Sequence, residues 1–524
     1  MTPAGLGASV DSRLAVVDLG SNSFRLVVFG VHAPAPGSLG SWWKRIDEIY
    51  EPVRIGAGVD ESGALGEEGI ARAIAAIEVF AHFCAASGLR EDEIDAVATS
   101  AIREATNSEE FLARARRAAG IEIRVLSREQ EARAGYLAAV NSTDLRDGAV
   151  LDLGGGSMQL VEVEGREAKT LDSWRLGAVR MTERFLPGEE PPSAKQLGRL
   201  REHVTRKLES AEWLGACGRH IVGVGGTMRN LAAAVQRALE LPSFGVQGFA
   251  IERAALDDLV ERLAQLTPAE RRRVPGIKPS RGDIVLAGAI VIQTVLETGG
   301  FEAIEVTEAG LREGVFFERV LGDRRPPLLE DVRRASVLNL AAQYDATPAH
   351  TRHVARLALG LFDELAAAGL HEGDPREREL LESAALLHDI GVAVDYDDHH
   401  KHSRYLVLNA GLPGFTPREV ALIGQAVRYH RKGSPELGPF APLMRKGDDA
   451  LLVRCSVLLR LAEDLERSRD QDVREAHVSV DGAGGAVRLD LVTSGDARVA
   501  RWAASREVEL FERAFGRALD VPAG

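Results

Sequence analysis

A short loop of small residues that follows an aspartate occurs twice in the sequence. The copies are residues 16–28, with Asp18, and residues 150–161, with Asp152; their loops are Gly20, Ser21, Asn22 and Ser23, and Gly154, Gly155, Gly156 and Ser157. Apolar runs flank each loop, which predicts two strands joined by a tight turn. Small residues let backbone N–H groups approach a phosphate closely, and the carboxylate is placed to hold a cation or position water. The duplication indicates two related half-domains facing one phosphate-bearing ligand.

The composition is that of a globular protein with several domains. At 524 residues the chain has room for three or four domains of roughly 100–200 residues each. Its formal net charge is −14, from 64 Lys and Arg against 78 Asp and Glu. This balance argues against a nonspecific binder of nucleic acid or of an anionic membrane. A polyanionic substrate is still compatible with this net charge, because a local basic groove and a divalent metal can bind it although the whole chain is negative.

Cysteine usage and the absence of targeting patterns predict a cytoplasmic protein. Cys84, Cys217 and Cys455 lie far apart and form no CxxC, so neither a disulfide framework nor a thiolate metal site is expected. Residues 1–12 lack a basic segment followed by an apolar run, and no signal peptide is predicted. The apolar stretch 285–292 is too short to span a bilayer, which takes ~20 residues.

The order of patterns along the chain predicts an α/β protein with a helical second part. Strands and helices alternate through the first 320 residues or so, as in a doubly wound α/β domain. A glycine cluster, Gly225-Gly226-Thr227, follows an apolar strand there, and residues 323–327 form a charged, proline-containing linker. The predicted domains are residues 1–133, 134–323, 324–474 (helical) and 475–524 (a small α+β tail).

Several segments together resemble one known family. They are residues 18–24, 100–103, 131–133, 152–157, 225–227 and 310–314, and the similarity continues through residues 427–432. They come in the order found in the exopolyphosphatase/guanosine pentaphosphate phosphohydrolase family, and the chain resembles its long members. The resemblance implies two actin-like, ribonuclease-H-like domains of the sugar-kinase superfamily, then an all-α HD-like domain and the small tail. It also implies a homodimer and release of terminal orthophosphate from polyphosphate, guanosine pentaphosphate or both.

Phosphoanhydride hydrolysis needs donors around the phosphoryl group, a cation to spread charge, and a base to orient water. The two loops offer backbone donors, and Arg103 offers a bidentate guanidinium clamp, with a surface salt bridge as the alternative. Asp152 is the best Mg²⁺ carboxylate. Asp18 either stabilises its loop as an Asx residue or positions water or metal.

The resemblance assigns further roles. Glu131 matches the family's catalytic glutamate, with a helix N-terminal preference as the alternative. Arg281 matches an arginine that faces polyphosphate, with a solvated charge as the alternative. The segment Gly225, Gly226 and Thr227 is assigned to phosphate binding. Where the family has a metal-binding glutamate this chain has Gln159, which keeps an oxygen ligand but loses the charge and should weaken Mg²⁺ binding.

A histidine-rich region resembles the HD metallophosphohydrolase arrangement, which gathers His and Asp ligands around one or two divalent ions. The predicted ligands are His353, His388, Asp389, His402, His430 and either Glu463 or Asp464. A transition metal (Mn, Fe or Zn) is expected if they converge. The alternative is that these histidines are packing residues.

The combined prediction is a cytoplasmic, Mg²⁺-dependent phosphohydrolase with Glu131 as general base. Its partners are the phosphate substrate and a second copy of the chain, without nucleic acid or membrane. A non-catalytic sensor of polyphosphate or alarmone is an alternative suggested by Gln159, and an HD-type phosphohydrolase acting through the C-terminal His/Asp site is another. A sugar or acetate kinase is less favoured, because nothing in the sequence marks a second acceptor site.

Overall fold

The structure is a computed structural model that describes residues 12–34, 37–345, 347–480 and 485–522. The chain divides into two compact units. The N-terminal unit contains residues 12–32 and 43–332, and the C-terminal unit contains the described residues of 33–42 and 333–524. The division therefore falls just after the predicted linker, while the finer division into four domains stays a prediction.

The first half of the N-terminal unit is a five-stranded sheet of order β3-β2-β1-β4-β5. Its strands are β1 (Ser12–Leu19), β2 (Phe24–His32), β3 (Trp42–Glu51), β4 (Ile94–Ala98) and β5 (Ile123–Val125). β1 pairs antiparallel with β2 and parallel with β4, which pairs parallel with β5. Its helices are α1 (Val59–Ser62), α2 (Glu67–Ala86), α3 (Ser100–Glu104), α4 (Ser108–Ala119) and α5 (Arg128–Val140).

The second half repeats this pattern in a six-stranded sheet of order β10-β11-β9-β6-β7-β8. Its strands are β6 (Gly148–Leu153), β7 (Met158–Glu164), β8 (Glu167–Trp174), β9 (His220–Val224), β10 (Phe249–Glu252) and β11 (Ala303–Val306). Its helices are α6 (Ala178–Phe185), α7 (Ala194–Leu208), α8 (Gly226–Ala238), α9 (Arg253–Ala264), α10 (Pro268–Arg271), α11 (Val285–Gly299) and α12 (Leu311–Val320). The hairpins β1–β2 and β6–β7 are the two copies of the repeated segment, and the predicted α/β class is confirmed.

The register of the two hairpins is equivalent at the aspartates. Asp18 lies opposite Arg25 in the first ladder, and Asp152 lies opposite Gln159 in the second. Each aspartate follows a buried apolar run on the strand that pairs in parallel with the next strand of its sheet. The same chain pattern therefore brings a carboxylate to the same place in each sheet.

Helix α2 is, among the described residues, long and apolar enough to cross a membrane by length and composition alone. One face of this helix is buried, and Ile70, Ile77 and Phe80 pack in the core of the first sheet. The apolar stretch at residues 285–292 lies in α11, whose side chains from Val285 to Leu296 are buried in the core of the second sheet.

Helix α5 runs through the predicted boundary at residues 133/134 and packs on the second sheet. Its side chains Tyr136, Leu137 and Val140 share a core with strands β6, β7 and β9. The helix also crosses α12 closely, because an added Cβ on Gly314 would lie 1.9 Å from the carbonyl oxygen of Ala134. This close approach sets the position of the first turn of α5, which carries Glu131.

Gly314→Ala should lower the free energy of unfolding by about 1–3 kcal/mol, because the new methyl group meets backbone that cannot rotate away. Gly198→Ala is the matched control. Gly198 lies exposed in α7 with nothing within 4 Å of an added Cβ, so alanine there should raise stability by roughly 0.5–1 kcal/mol. Urea unfolding followed by circular dichroism measures both changes, and equal effects of the two substitutions would contradict the close crossing.

The C-terminal unit is mainly helical, as the sequence predicts. Its helices are α13 (Val332–Tyr344), α14 (Pro348–Ala367), α15 (Pro375–Leu387), α16 (His399–Asn409), α17 (Pro417–Tyr429), α18 (Asp448–Leu465), α19 (Arg498–Ala504) and α20 (Val508–Phe515). A three-stranded sheet of order β12-β13-β14 is built from β12 (Val473–Val480), β13 (Val487–Thr493) and β14 (Leu519–Asp520). The mixed α+β character of the predicted tail agrees with this sheet and the last two helices.

Candidate active site and a second side-chain cluster

A cavity of about 130 Å³ lies where the two repeated loops of the N-terminal unit meet. Most of the sequence-predicted phosphate-site residues line it: Asp18, Gly20, Ser21, Asn22, Ser23, Glu131, Asp152, Gly154, Gly155, Ser157, Gly225, Gly226 and Arg281. Gly156 lines a smaller neighbouring cavity with Ser21 and Gly155. The structure thus brings the two loop copies to one cavity.

Both loops are closed by the same backbone hydrogen bond. The N–H of Gly20 donates to the carbonyl of Ser23 at 3.2 Å, and the N–H of Gly154 donates to the carbonyl of Ser157 at 3.0 Å. A third turn enters the cavity at Gly225, whose φ of 111° is a conformation that favours glycine. An added Cβ there would lie 2.6 Å from the carbonyl oxygen of Leu153, so only glycine lets this turn approach the second loop.

Glu131 lies in the first turn of α5 with both carboxylate oxygens held. Ser127 caps this helix in a capping box with Gln130, so Glu131 is not needed as the cap. Its Oε2 accepts a hydrogen bond from Arg103 Nη1 at 2.7 Å, and its Oε1 accepts one from Ser157 Oγ at 2.9 Å. The side chain is buried yet lines the cavity, which is the placement that a general base requires.

Arg103 does not line the cavity as the predicted clamp would. Its Nη1 donates to Glu131 and to the carbonyl of Leu126, and the latter distance is 2.8 Å. The pair is largely buried rather than a surface salt bridge, with 15% and 8% of the two side chains exposed. The geometry makes Arg103 a residue that positions the glutamate.

The guanidinium groups that line the cavity are those of Arg25, Arg229, Arg281 and Arg312. Arg25 donates to Glu48 at 2.5 Å, and Arg229 donates to the carbonyl of Glu308 at 2.7 Å. Burial, together with the neighbouring charges of Arg312 and Arg25, lowers the pKa of Arg229 to about 10. It stays charged at neutral pH, so an anionic ligand would relieve the repulsion among these groups.

Three of these arginines were missed by sequence reasoning. Arg229 lies two residues after the segment Gly225-Gly226-Thr227, and Arg312 lies inside residues 310–314; the family resemblance had singled out both segments. Arg25 occupies, in the first repeat, the position that Gln159 occupies in the second. A position inside or close to one of the segments that carry the family resemblance is therefore the signal that could have identified these three arginines.

Three carboxylates converge on the same cavity. Burial, together with the charges of Glu131 and Asp18, raises the pKa of Asp152 to about 7. Burial likewise raises the pKa of Asp18, against the lowering effect of Arg312 and Arg25. An added Cβ on Gly135 would lie 2.8 Å from Asp152 Oδ2, so α5 packs directly on this carboxylate. Three clustered carboxylates that line a phosphate-sized cavity, one of them buried and two partly buried, fit a hard divalent cation such as Mg²⁺.

Gln159 and Thr227 do not line the cavity. Gln159 is buried, and its Nε2 donates to Ser157 Oγ at 3.0 Å. Ser157 in turn donates to Glu131, so the amide belongs to a chain of hydrogen bonds that ends at the candidate base. Thr227 is buried with its methyl group against α11, where an added Cβ on Gly288 would lie 2.6 Å from it.

Gln159→Leu should lower kcat about tenfold while leaving the Mg²⁺ concentration at half-maximal rate unchanged. The substitution removes one hydrogen bond from the chain that orients Glu131, and such a bond is worth roughly 0.5–1.5 kcal/mol. Orthophosphate release measured over a Mg²⁺ titration gives both quantities. Gln159→Glu separates the alternatives, because a side chain in the metal's coordination sphere would lower the half-saturating Mg²⁺ concentration when it regains its charge.

Two known family models match the sequence. The family model described as "Ppx/GppA phosphatase family" matches residues 40–322, and "Ppx/GppA phosphatase, domain III" matches residues 332–496. The chain belongs to the Ppx/GppA phosphatase family. Solved structures of this family agree with the assignment. A family member from Aquifex aeolicus is 29% identical, with a TM-score of 0.51 over 60% of this chain and 98% of its own.

Two further structures are similar over about the same share of the chain. An exopolyphosphatase-like protein is 28% identical, with a TM-score of 0.53 over 59% of this chain and 98% of its own. An exopolyphosphatase from Cytophaga hutchinsonii is 21% identical, with a TM-score of 0.52 over 59% of this chain and 98% of its own, and supports the fold alone. The predicted pair of actin-like domains is confirmed by these relatives of the Ppx/GppA family. The HD-like character of the C-terminal unit stays a prediction.

Within the region matched by the domain III model, six buried or nearly buried side chains form one cluster: His350, His388, Asp389, His399, His430 and Glu463. Glu463 Oε2 lies 3.0 Å from His350 Nε2 and 3.3 Å from His388 Nε2. Asp389 Oδ1 lies 3.8, 3.4 and 3.7 Å from the Nε2 atoms of His388, His399 and His430. Two groups of possible metal ligands therefore meet at Asp389.

The structure does not bring three of the predicted ligands to this cluster. His353 Nε2 instead donates to the carbonyl of Val473 at 2.8 Å, and His350, one turn earlier on α14, takes its place. His402 is partly buried beside Gly391, and His399 at the start of α16 reaches Asp389 instead. Of the two open alternatives at the end of α18, Glu463 points to the histidines. Burial and the charge of Glu507 raise the pKa of the other candidate, Asp464, to about 7.

Proposed function

We propose that the N-terminal unit releases terminal orthophosphate from inorganic polyphosphate, from guanosine pentaphosphate, or from both. The observation that carries this proposal is the placement of Glu131. This buried carboxylate is oriented by Arg103 and Ser157, and it faces one cavity with two phosphate-type loops and four arginines. Membership of the Ppx/GppA phosphatase family and the similarity to an exopolyphosphatase-like protein support the same reaction.

In the proposed step, the oxygen of a water molecule attacks the terminal phosphorus while Glu131 accepts a proton from that water. The bridging P–O bond then breaks, and the shortened chain leaves with the bridging oxygen. Arg103 and Ser157 hold both oxygens of the base, so its geometry is set before the substrate arrives. The products are orthophosphate and a chain that is shorter by one phosphate.

The backbone N–H groups of the two loops and the four arginines would stabilise charge on the phosphoryl oxygens. Asp152 would hold Mg²⁺, with Asp18 beside it, because both carboxylates line the cavity. The ion would supply charge neutralisation on the phosphate oxygens. Four arginines exceed what a single phosphate needs, which favours a substrate with several consecutive phosphates over a simple monoester.

Orthophosphate release from long-chain polyphosphate, guanosine pentaphosphate and ATP, assayed side by side with Mg²⁺, tests the proposal. We expect release from at least one of the first two substrates and a much lower rate with ATP. Binding of either substrate without release would contradict hydrolysis and favour the sensor alternative. Product sizes add a second readout, since a processive enzyme leaves long chains beside free phosphate and a distributive one gives a shrinking ladder.

A further inference from the structure

The His/Asp/Glu cluster of the C-terminal unit takes no part in the reaction proposed above. Its six members come from α14, α16 and α18 and from the segments that follow α15 and α17, so distant parts of the chain converge on one point. Buried ionisable side chains are rare unless they are paired or bind a metal. The alternative to a metal site is that these histidines are structural residues of the core whose ring nitrogens are all hydrogen-bonded.

The hydrogen bonds of three histidines argue against that alternative. The Nδ1 atoms of His388, His399 and His430 lie 2.7, 2.8 and 2.7 Å from the carbonyl oxygens of Ala385, Tyr396 and Val427. A carbonyl only accepts, so each Nδ1 carries the proton and, in the neutral ring, each Nε2 presents a lone pair. Histidines that bind metals are oriented in this way, with the other ring nitrogen donating to a carbonyl.

These lone pairs face one another and the carboxylates. His399 Nε2 lies 3.2 Å from His430 Nε2, a contact between two acceptors when both rings are neutral. Among the described residues, His388 Nε2 is a buried atom that makes no hydrogen bond, although Glu463 Oε2 lies 3.3 Å away, and the His388 side chain is 0% exposed. A cation placed among the Nε2 atoms would satisfy all of them. The spacings near 3.0–3.8 Å are those expected between ligands bound at roughly 2.0–2.2 Å.

A cavity of about 210 Å³ reaches the cluster at His430 and Glu463. Its walls carry four arginines, Arg431, Arg460, Arg467 and Arg506, and two further acidic residues, Asp464 and Glu507. Glu507 is paired with Arg460 at 3.3 Å, so the other three arginines are the ones that can reach a bound anion. Trp502 also lines it, is 59% exposed, and lies under Arg506 with 5.2 Å from the guanidinium carbon to the ring centroid. A bound cation together with these arginines would make this cavity attractive to a phosphate group.

We propose that this cluster is a transition-metal centre for two ions that share Asp389, and that the arginine-lined cavity admits a phosphate-bearing ligand to it. One ion would take His350, His388, Asp389 and Glu463, and the other Asp389, His399 and His430. The mixed nitrogen and oxygen ligands suit Mn²⁺, Fe²⁺ or Zn²⁺. The site is independent of the phosphate release proposed for the N-terminal unit.

Metal uptake by the full chain tests the centre. Metal-free protein is loaded with Mn²⁺, Fe²⁺ or Zn²⁺ separately, desalted and analysed for metal content. We expect wild type to retain at least one more ion per chain of at least one metal than His388→Gln does, because His388 is a ligand of one of the two ions, and to melt at a higher temperature when loaded. Equal uptake by wild type and His388→Gln for all three metals would overturn the proposal.

Two further variants keep this test interpretable. His430→Gln alters the second ligand group and should lose uptake without losing orthophosphate release at the N-terminal site. His477→Gln is the matched control, because this histidine belongs to the same unit but lies exposed beside Glu364. Loss of uptake in His477→Gln equal to that in His430→Gln would also overturn the assignment.

The phosphate part is tested on the Co²⁺-loaded protein, whose visible absorption reports ligands of the metal. Inorganic phosphate should change this spectrum, and Arg467→Ala with Arg506→Ala should weaken the effect about tenfold or more. An unchanged spectrum, or equal affinity in the double variant, would overturn this part. A parallel titration with AMP distinguishes a nucleotide from free phosphate as the ligand. If AMP binds more tightly than inorganic phosphate and Trp502→Ala abolishes the difference, the ligand is a nucleotide. If the two affinities are equal, the ligand is free phosphate.

Discussion

Glu131→Gln should lower kcat for orthophosphate release by about 10²–10⁴-fold while changing KM by no more than roughly twofold. Glutamine keeps the size of the side chain and can still accept from Arg103 or Ser157, but its amide is not a base. The water gives up its proton only as it attacks the phosphorus. The substitution therefore removes an interaction that is made in the transition state and not in the bound substrate. Steady-state kinetics with the better of the two substrates measures both constants.

Glu129→Gln is the matched control for this experiment. Glu129 lies on the same first turn of α5 but is exposed and does not line the cavity. It should leave both kinetic constants and the melting temperature near those of wild type. A fall in binding as large as the fall in turnover for Glu131→Gln would instead indicate that this carboxylate serves the structure of the loop region.

The duplicated hairpin was predictable because its information is local. An apolar run, an aspartate and a loop of small residues define strand, turn and strand within a dozen or so positions, and two copies confirm each other. The parallel partners β4 and β9 follow from the alternation of apolar strands with helices. Asp18, Asp152 and both loops therefore fall where the sequence predicts, and the fold class is confirmed by the structure and by the family.

The roles of Arg103 and Gln159 depended on side-chain directions that the sequence does not contain. Arg103 was predicted to clamp the substrate, but it does not line the cavity and donates to Glu131 instead. Gln159 was predicted beside the metal, and its amide turns to Ser157. In both cases the residue lies next to the predicted site, but contacts between elements decide which group it reaches.

In the histidine cluster, the sequence does not determine which of two nearby histidines on a helix faces the other ligands. His350 and His353 are three residues apart on α14, as are His399 and His402 on α16, so each pair lies within about 60° of the same helix face. Which member faces α18 depends on how the helices pack. His353 is taken by the carbonyl of Val473 on β12, a long-range contact that spacing alone does not reveal.

Asp152→Asn should lower kcat by roughly 10²–10³-fold and raise the Mg²⁺ concentration at half-maximal rate by about tenfold or more. Asparagine has the same shape as aspartate but lacks the charge that would hold the ion against water. Activity should recover in part at high Mg²⁺, because the loops, the arginines and Glu131 remain. A Mg²⁺ titration of orthophosphate release gives both numbers.

Asp152→Asn should lower activity without lowering the stability of the fold. Asp152 is partly buried beside Asp18 and Glu131, so asparagine removes repulsion among three carboxylates, and the metal-free variant should melt no lower than wild type. Asp258→Asn, on the exposed side of α9, is the matched control and should change neither the rate nor the metal requirement. An unchanged half-saturating Mg²⁺ concentration in Asp152→Asn would mean that the cation is held by other groups. In that case the carboxylate acts on the water or the phosphate directly.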